Sequence, residues 1–172
     1  MEMNFQFGKD SSKEEVFEKI AGTLSTFIRV RYTDTARPWG GFFVIEEEDT
    51  AKFIDTFFPG VLPEQVDHMD RISPKILVVA PAKRLSWQYH LRRSELWTVV
   101  GGTVLIVTSD SDMEGVPRLM QTGDIIELKQ GERHRLIGTD NWGVVAEIWR
   151  HTDKDHPSDE TDIIRINDDF GR

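Results

Sequence analysis

The residues best suited to chemistry lie in Trp87-Gln88-Tyr89-His90-Leu91-Arg92-Arg93-Ser94-Glu95-Leu96-Trp97, a polar stretch flanked by the apolar runs ILVVA and TVVGGTVLIV. In an extended strand alternate side chains share a face, so Gln88 and His90 point one way and Trp87 and Tyr89 the other. Glu95 follows five residues after His90, on a neighbouring part of the strand or beyond a bend, and His134 stands far along the chain after Gly131. A glutamine, two histidines and a carboxylate drawn from separate segments can form an N/O site for a divalent ion, with positions left open for substrate or water. Neutral imidazole and carboxylate suit Zn, Mn, Fe, Co or Ni. The alternative reading of each residue is structural: a histidine hydrogen-bonded in the core, or an Arg–Glu surface pair.

The elements that must position these residues are legible in part. In DSSKEEVFEKIAGTL, Ser11 or Ser12 with Glu14 or Glu15 forms a capping box. Val16, Phe17, Ile20, Ala21 and Leu24 recur at helical spacing. A second short helix is expected over Thr50 to Phe58, ended by Pro59-Gly60. From Ser73 onward short apolar segments alternate with Gly, Pro, Asp and Asn, the pattern of an all-β sandwich or barrel rather than of βαβ units. IIRI near the end is a candidate final strand.

The chain has 172 residues, enough for one domain, with 30% charged residues and no cysteine. Thiolate nucleophiles and cysteine-held metal sites are therefore excluded. A formal charge of −9 argues against a nucleic-acid surface, although arginines gather near 83–93 and 133–135. No apolar run approaches the ~20 residues of a membrane span. With no basic leader at the N-terminus, the expected location is cytoplasmic.

Longer motifs carry a resemblance. Gln88-Tyr89-His90, Glu95 and Gly102 fit the first cupin segment, G-x5-H-x-H-x3,4-E-x6-G, with glutamine in place of the first histidine. Gly123, Gly131 and His134 fit the second, G-x5-P-x-G-x2-H. More narrowly, RPWGGF at 37–42, RLSWQYHLRRSELW at 84–97, GERHRL at 131–136 and DETDIIRINDDFGR at 159–172 resemble the type II mannose-6-phosphate isomerase cupins, including forms named phosphoheptose isomerase. The resemblance implies a single cupin barrel (a jelly roll or double-stranded β-helix) with one or two short N-terminal helices. Residues 1–72 would form a helical and insertion segment packed on a barrel of residues 73–172, in one structural domain.

It further implies a metal held by Gln88, His90, Glu95 and His134, with Zn first and Mn, Co, Ni or Fe as alternatives, and Arg93 as the catalytic arginine. The expected activity is aldose–ketose isomerisation of a phosphorylated sugar through an enediolate. Glu147, a carboxylate in the apolar strand VVAEIWR, is the candidate base, the alternative being an ion pair with a nearby arginine. Arg165 and Arg172 are candidate phosphate ligands, although Arg165 can instead pair with Asp162 or Asp168. Arg37 and Trp39 are assigned a structural role. His68, His151 and His156 are expected in solvent, and Trp87 or Trp97 as a pocket wall. Departures from the family pattern are Leu91, Arg92 and Leu96 in place of histidines, Ala82 for Gly and Lys129 for Pro. A homodimer through edge strands is a further expectation. The competing functions are a non-catalytic metal- or sugar-binding cupin and a cupin dioxygenase.

Overall fold

An apolar strand uninterrupted along its length must be covered on both faces, and GVVAEIWRH is buried at every position. In the computed structural model, which describes residues 5–61 and 72–171, this segment is β10 (Gly143–His151), near the middle of a six-stranded sheet. The sheet order is β1 (Val30–Asp34), β2 (Gly40–Ile45), β3 (Ile72–Val79), β10, β5 (Arg93–Gly101) and β8 (Ile125–Leu128). A five-stranded sheet faces it, in the order β11 (Ile164–Asn167), β4 (Trp87–Tyr89), β9 (Arg133–Gly138), β6 (Thr103–Ser109) and β7 (Arg118–Gln121). Every pairing is antiparallel, and the two sheets make the all-β jelly-roll barrel of a cupin.

Alternation divides the buried residues between two layers. Val144, Ala146 and Ile148 of β10 pack outward with Ile76 and Val78 of β3 against helix α1 (Lys13–Leu24) and helix α2 (Thr50–Phe57). Helix α1 buries Val16, Phe17, Ile20 and Leu24, and the Phe17 ring stacks on Phe43 of β2 at 5.2 Å. Its cap is Ser12, which accepts from the Glu15 amide at 3.2 Å while Glu15 accepts from the Ser12 amide at 2.8 Å, so two otherwise orphaned donors are satisfied reciprocally. The inner layer holds Leu77, Val79, Trp97, Val99, Leu136 and Val145, among others, which fill one end of the barrel with apolar contacts. The other end of the lumen is polar.

One difference from the sequence expectation concerns the N-terminal segment. Strands β1 and β2 extend the six-stranded sheet, pairing with each other and with β3, where the sequence reading starts the barrel only at residue 73. Strand β1 lies at the sheet edge and is mostly exposed, so its sequence VRYTD has no alternating apolar face to announce it. Arg172 and His68 lie outside the described residues. No helix among the described residues is long and apolar enough to cross a membrane.

Candidate metal centre and cavity

The chain crosses from one sheet to the other between β4 and β5, and the polar cluster is built at that crossing. His90 follows β4 in the five-stranded sheet, Glu95 lies on β5 in the six-stranded sheet, and His134 lies on β9 directly across from Gln88. One ligand atom from each of His90, Glu95 and His134 lies within 4.8 Å of the others, and all three residues are buried. His90 Nε2 is 3.2 Å from Glu95 Oε1, and His134 Nε2 is 3.4 Å from Glu95 Oε2.

The protons show what this cluster lacks. His90 Nδ1 donates to the Asp162 carbonyl at 3.0 Å, and His134 Nδ1 donates to the Glu132 carbonyl at 3.0 Å. With Nδ1 donating outward, each ring turns its Nε2 inward. Burial pushes His134 down to about 4, against the pull of the Glu95 charge, so it stays neutral. Glu95 is the reverse case. Burial opposes its ionisation, but the facing His90 and Arg93 outweigh burial and hold it well below the usual carboxylate range. Two acceptors, His134 Nε2 and Glu95 Oε2, therefore face each other in a buried site, and neither has a hydrogen-bond donor among the described residues. A divalent cation satisfies this arrangement, and carbonyl-anchored imidazoles are its usual outer support. The residues present fit a metal ion. Gln88, register partner of His134, has its side-chain oxygen accepting from Ser86 Oγ at 2.5 Å.

Arg93 is only 2% exposed and its guanidinium is fully engaged. It donates to Glu95 at 2.7 Å, to Ser158 Oγ at 2.8 Å, to the Asp159 carbonyl at 3.3 Å and to His90 Nε2 at 3.1 Å, and it lies over the Trp149 ring at 3.6 Å. The segment 158–162 that receives it overlaps the motif at 159–172, but the sequence reading assigned Ser158, Asp159 and Asp162 no part in holding Arg93 or His90. Asp162 accepts from the Leu91 and Arg92 amides, each at 3.0 Å, and from Ser158 Oγ at 2.6 Å, so one buried carboxylate fixes the turn after His90. Burial opposes its charge, but the hydroxyl and the amides outweigh burial and keep its pKa low.

The metal cluster adjoins a cavity with about 500 Å³ of empty space, counting the part open to solvent. Arg37, Lys75, Arg93 and Arg165 bring positive charge to its wall, Glu160 negative charge, Glu147 a carboxyl, and Trp39, Trp97 and Trp149 aromatic surface. Arg37 and Trp39, read as structural in the sequence, thus also face the cavity. Of the two candidate tryptophans only Trp97 does; Trp87 is buried outside the lumen with Nε1 donating to the Asp112 carbonyl at 2.7 Å. Arg165 pairs in register with Gln88, and Asp162 is committed to the turn after His90. Glu147 accepts from Trp97 Nε1 at 3.1 Å, and burial, reinforced by the Glu95 charge, pushes its carboxyl up to about 8.

The expectation of a solvated His151 is corrected. It ends β10, is 5% exposed, approaches Ser73 Oγ at 3.0 Å and accepts from the Ser158 amide at 2.9 Å. The polar loop assigned to it begins one residue later, so a helical or strand period carried one step further would have placed it. His156 is exposed and lies 3.4 Å from Asp153.

Residues 46–168 match the family described as mannose-6-phosphate isomerase C-terminal. The chain is 31% identical over 109 residues to a mannose-1-phosphate guanylyltransferase of Escherichia coli (strain K12), covering 63% of this chain and 21% of that protein. It is 23% identical over 143 residues to a mannose-1-phosphate guanylyltransferase of Salmonella montevideo, covering 83% of this chain and 24% of that protein. The chain thus spans less than a quarter of the length of these relatives. Among solved structures, the capsular polysaccharide assembling protein CapF of Staphylococcus aureus matches 80% of this chain and 34% of its own, with a TM-score of 0.53 and 13% identity, a likeness of fold alone.

Proposed function

We propose that this chain, which belongs to the mannose-6-phosphate isomerase C-terminal family, is a metal-dependent aldose–ketose isomerase of a phosphorylated sugar. The observation that carries the proposal is the pair of donorless acceptors, His134 Nε2 and Glu95 Oε2, beside a cavity that also holds a buried carboxyl of raised pKa. Gln88, His90, Glu95 and His134 would hold the ion, zinc before manganese, cobalt, nickel or iron. A bound divalent ion supplies Lewis-acid polarisation of the sugar's carbonyl and hydroxyl oxygens.

The remaining work falls to this chain's own groups. Glu147 is the proton carrier. In its ionised form it takes the proton from C2 as that electron pair forms the C1–C2 double bond and the carbonyl pair moves to O1. The O2 hydroxyl proton passes to O1, and Glu147 delivers a proton to C1 as O2 becomes the ketose carbonyl. A pKa of about 8 suits a group that must both accept and give a proton near neutrality. Trp97 Nε1 fixes its carboxylate. Arg93 neutralises Glu95 and lies at the cavity wall, where its positive charge favours the anionic enediolate. Arg165 is assigned to the phosphate, and Arg172 keeps that proposed role from the sequence. Mannose-1-phosphate guanylyltransferases are matched over less than a quarter of their length, and nucleotidyl transfer is not assigned to this chain.

The test is turnover of mannose 6-phosphate and sedoheptulose 7-phosphate by protein loaded with Zn, Mn or Co. Interconversion by the wild type, lost in His134→Ala, is the expected result. Protein carrying one metal ion per chain that turns over neither sugar would reduce the reading to a metal-binding cupin.

A further inference from the structure

Lys75 was not singled out by its sequence, yet it is one of the few lysines a protein encloses: 5% exposed, on β3, facing the lumen opposite Glu147. Its Nζ lies 3.5 Å from the centre of the Trp149 ring and 5.0 Å from that of Phe42. Among the described residues its side-chain hydrogen bond goes to Glu160 Oε1, at 2.7 Å. The pair is lopsided, for the lysine side chain is 7% exposed and the glutamate side chain 45%. A buried ammonium must keep an anion beside it, because an unpaired charge in such a site is costly. A half-exposed carboxylate has no such need, since water can take it back.

We propose that Lys75 is a second anion anchor of the cavity, beside Arg165, and that Glu160 is an internal carboxylate holding the place of a phosphoryl group, which displaces it on binding. The inference rests on the reading of the substrate as a phosphorylated sugar. Three placements support it. Lys75 and Glu160 belong both to the cavity beside the metal cluster and to a second hollow outside it, formed with Arg31, Tyr32, Ser73 and Asp159. The ion pair is thus the partition between the two, and releasing Glu160 opens one to the other. Glu160 sits on a short 3-10 turn (Glu160–Asp162), within the same segment that fixes His90 and Arg93. Strand β3 lies two strands from β5 in the same sheet, about 10 Å at the usual spacing, so the anchor stands along the same wall from Glu95, as a sugar's phosphate stands apart from its carbonyl. Of the other cations lining the cavity, Arg93 is held by four partners and Arg37, in the connection before β2, by Asp34 at 2.8 Å.

Calorimetric titration of the full chain with inorganic phosphate tests this, using Lys75→Met and Glu160→Gln beside the wild type. Removing the competing carboxylate in Glu160→Gln should tighten phosphate binding by about tenfold, and Lys75→Met should weaken it by at least about tenfold. Unchanged binding in Lys75→Met, or weaker binding in Glu160→Gln, would overturn the proposal. Should Lys75→Met not fold, Glu160→Gln decides alone. Because the readout is binding, absence of isomerase turnover leaves the anchor standing, whereas turnover with phosphate binding indifferent to both substitutions removes the anchor and spares the isomerase.

Discussion

At the scale of single residues, the cluster is defined by which atoms carry protons. The two imidazoles are oriented by backbone carbonyls, and the alternation of Ser86, Gln88 and His90 makes the inward direction readable from sequence. What sequence could not supply is the state of each group, since that depends on neighbours from distant strands. Glu147 is the clearest instance: its position in an apolar run announces desolvation, but the Glu95 charge that adds to the shift comes from β5. Its pKa near 8 has a consequence for stability. The unfolded chain releases this proton near 4.5, so between about 4.5 and 8 the folded state holds a proton that the unfolded state does not. Stability contributed by this group therefore falls as pH rises through that window. Glutamine binds no such proton. Metal-free Glu147→Gln should gain roughly 1–3 kcal/mol on the wild type between pH 5 and pH 8.5, measured by urea denaturation at both values. Equal differences at the two pH values would show that the Glu147 carboxyl titrates normally.

At the scale of elements, the cluster depends on a crossing between sheets and on one strap. The chain leaves the five-stranded sheet after Tyr89, turns through His90, Leu91 and Arg92, and enters the six-stranded sheet at Arg93. Asp162 closes that turn through two amides, and the carbonyl of the same residue orients His90. None of this has a local signature. The partners are about 70 residues apart, and a short acidic segment reads as a solvated tail until the fold brings it back. The same is true of His151, whose burial follows from the strap packed beside it. The strands from β3 onward were legible from their apolar alternation, as were both helices. Strands β1 and β2 were not, one being an exposed edge and the other a run of only six residues opening with two glycines. Asp162→Ala leaves two amides and the Ser158 hydroxyl without an acceptor. It should cost about 2–3 kcal/mol in urea unfolding and weaken metal binding by roughly 10–100-fold in a chelator competition. Unaltered metal affinity would separate the strap from the site.

At the scale of the whole molecule, the barrel is apolar at one end and charged at the other, and the helices covering the six-stranded sheet let its central strands turn one face to each environment. Ala82 shows where the family pattern is stretched. It stands at a position the motif gives to glycine and keeps a positive φ of 56°, a conformation costing an alanine roughly 1–2 kcal/mol. The fold tolerates that substitution because its register is set elsewhere, by the long antiparallel ladders of β10 with β3 and β5. On the charged side, a chain of net charge −9 gathers four cations around one cavity. That concentration fits an anionic sugar and runs against the molecule's overall sign.

The central claim is that this cavity moves a proton between two carbons of such a sugar. It is tested most directly by incubating metal-loaded protein with mannose 6-phosphate in D₂O and following the C2 proton by NMR. The account predicts that deuterium enters C1 of the ketose and C2 of the recovered mannose 6-phosphate, because Glu147 exchanges its proton with solvent between the two transfers, and that Glu147→Gln slows this incorporation at least about 100-fold. A C2 signal that persists in metal-loaded wild-type protein would contradict it.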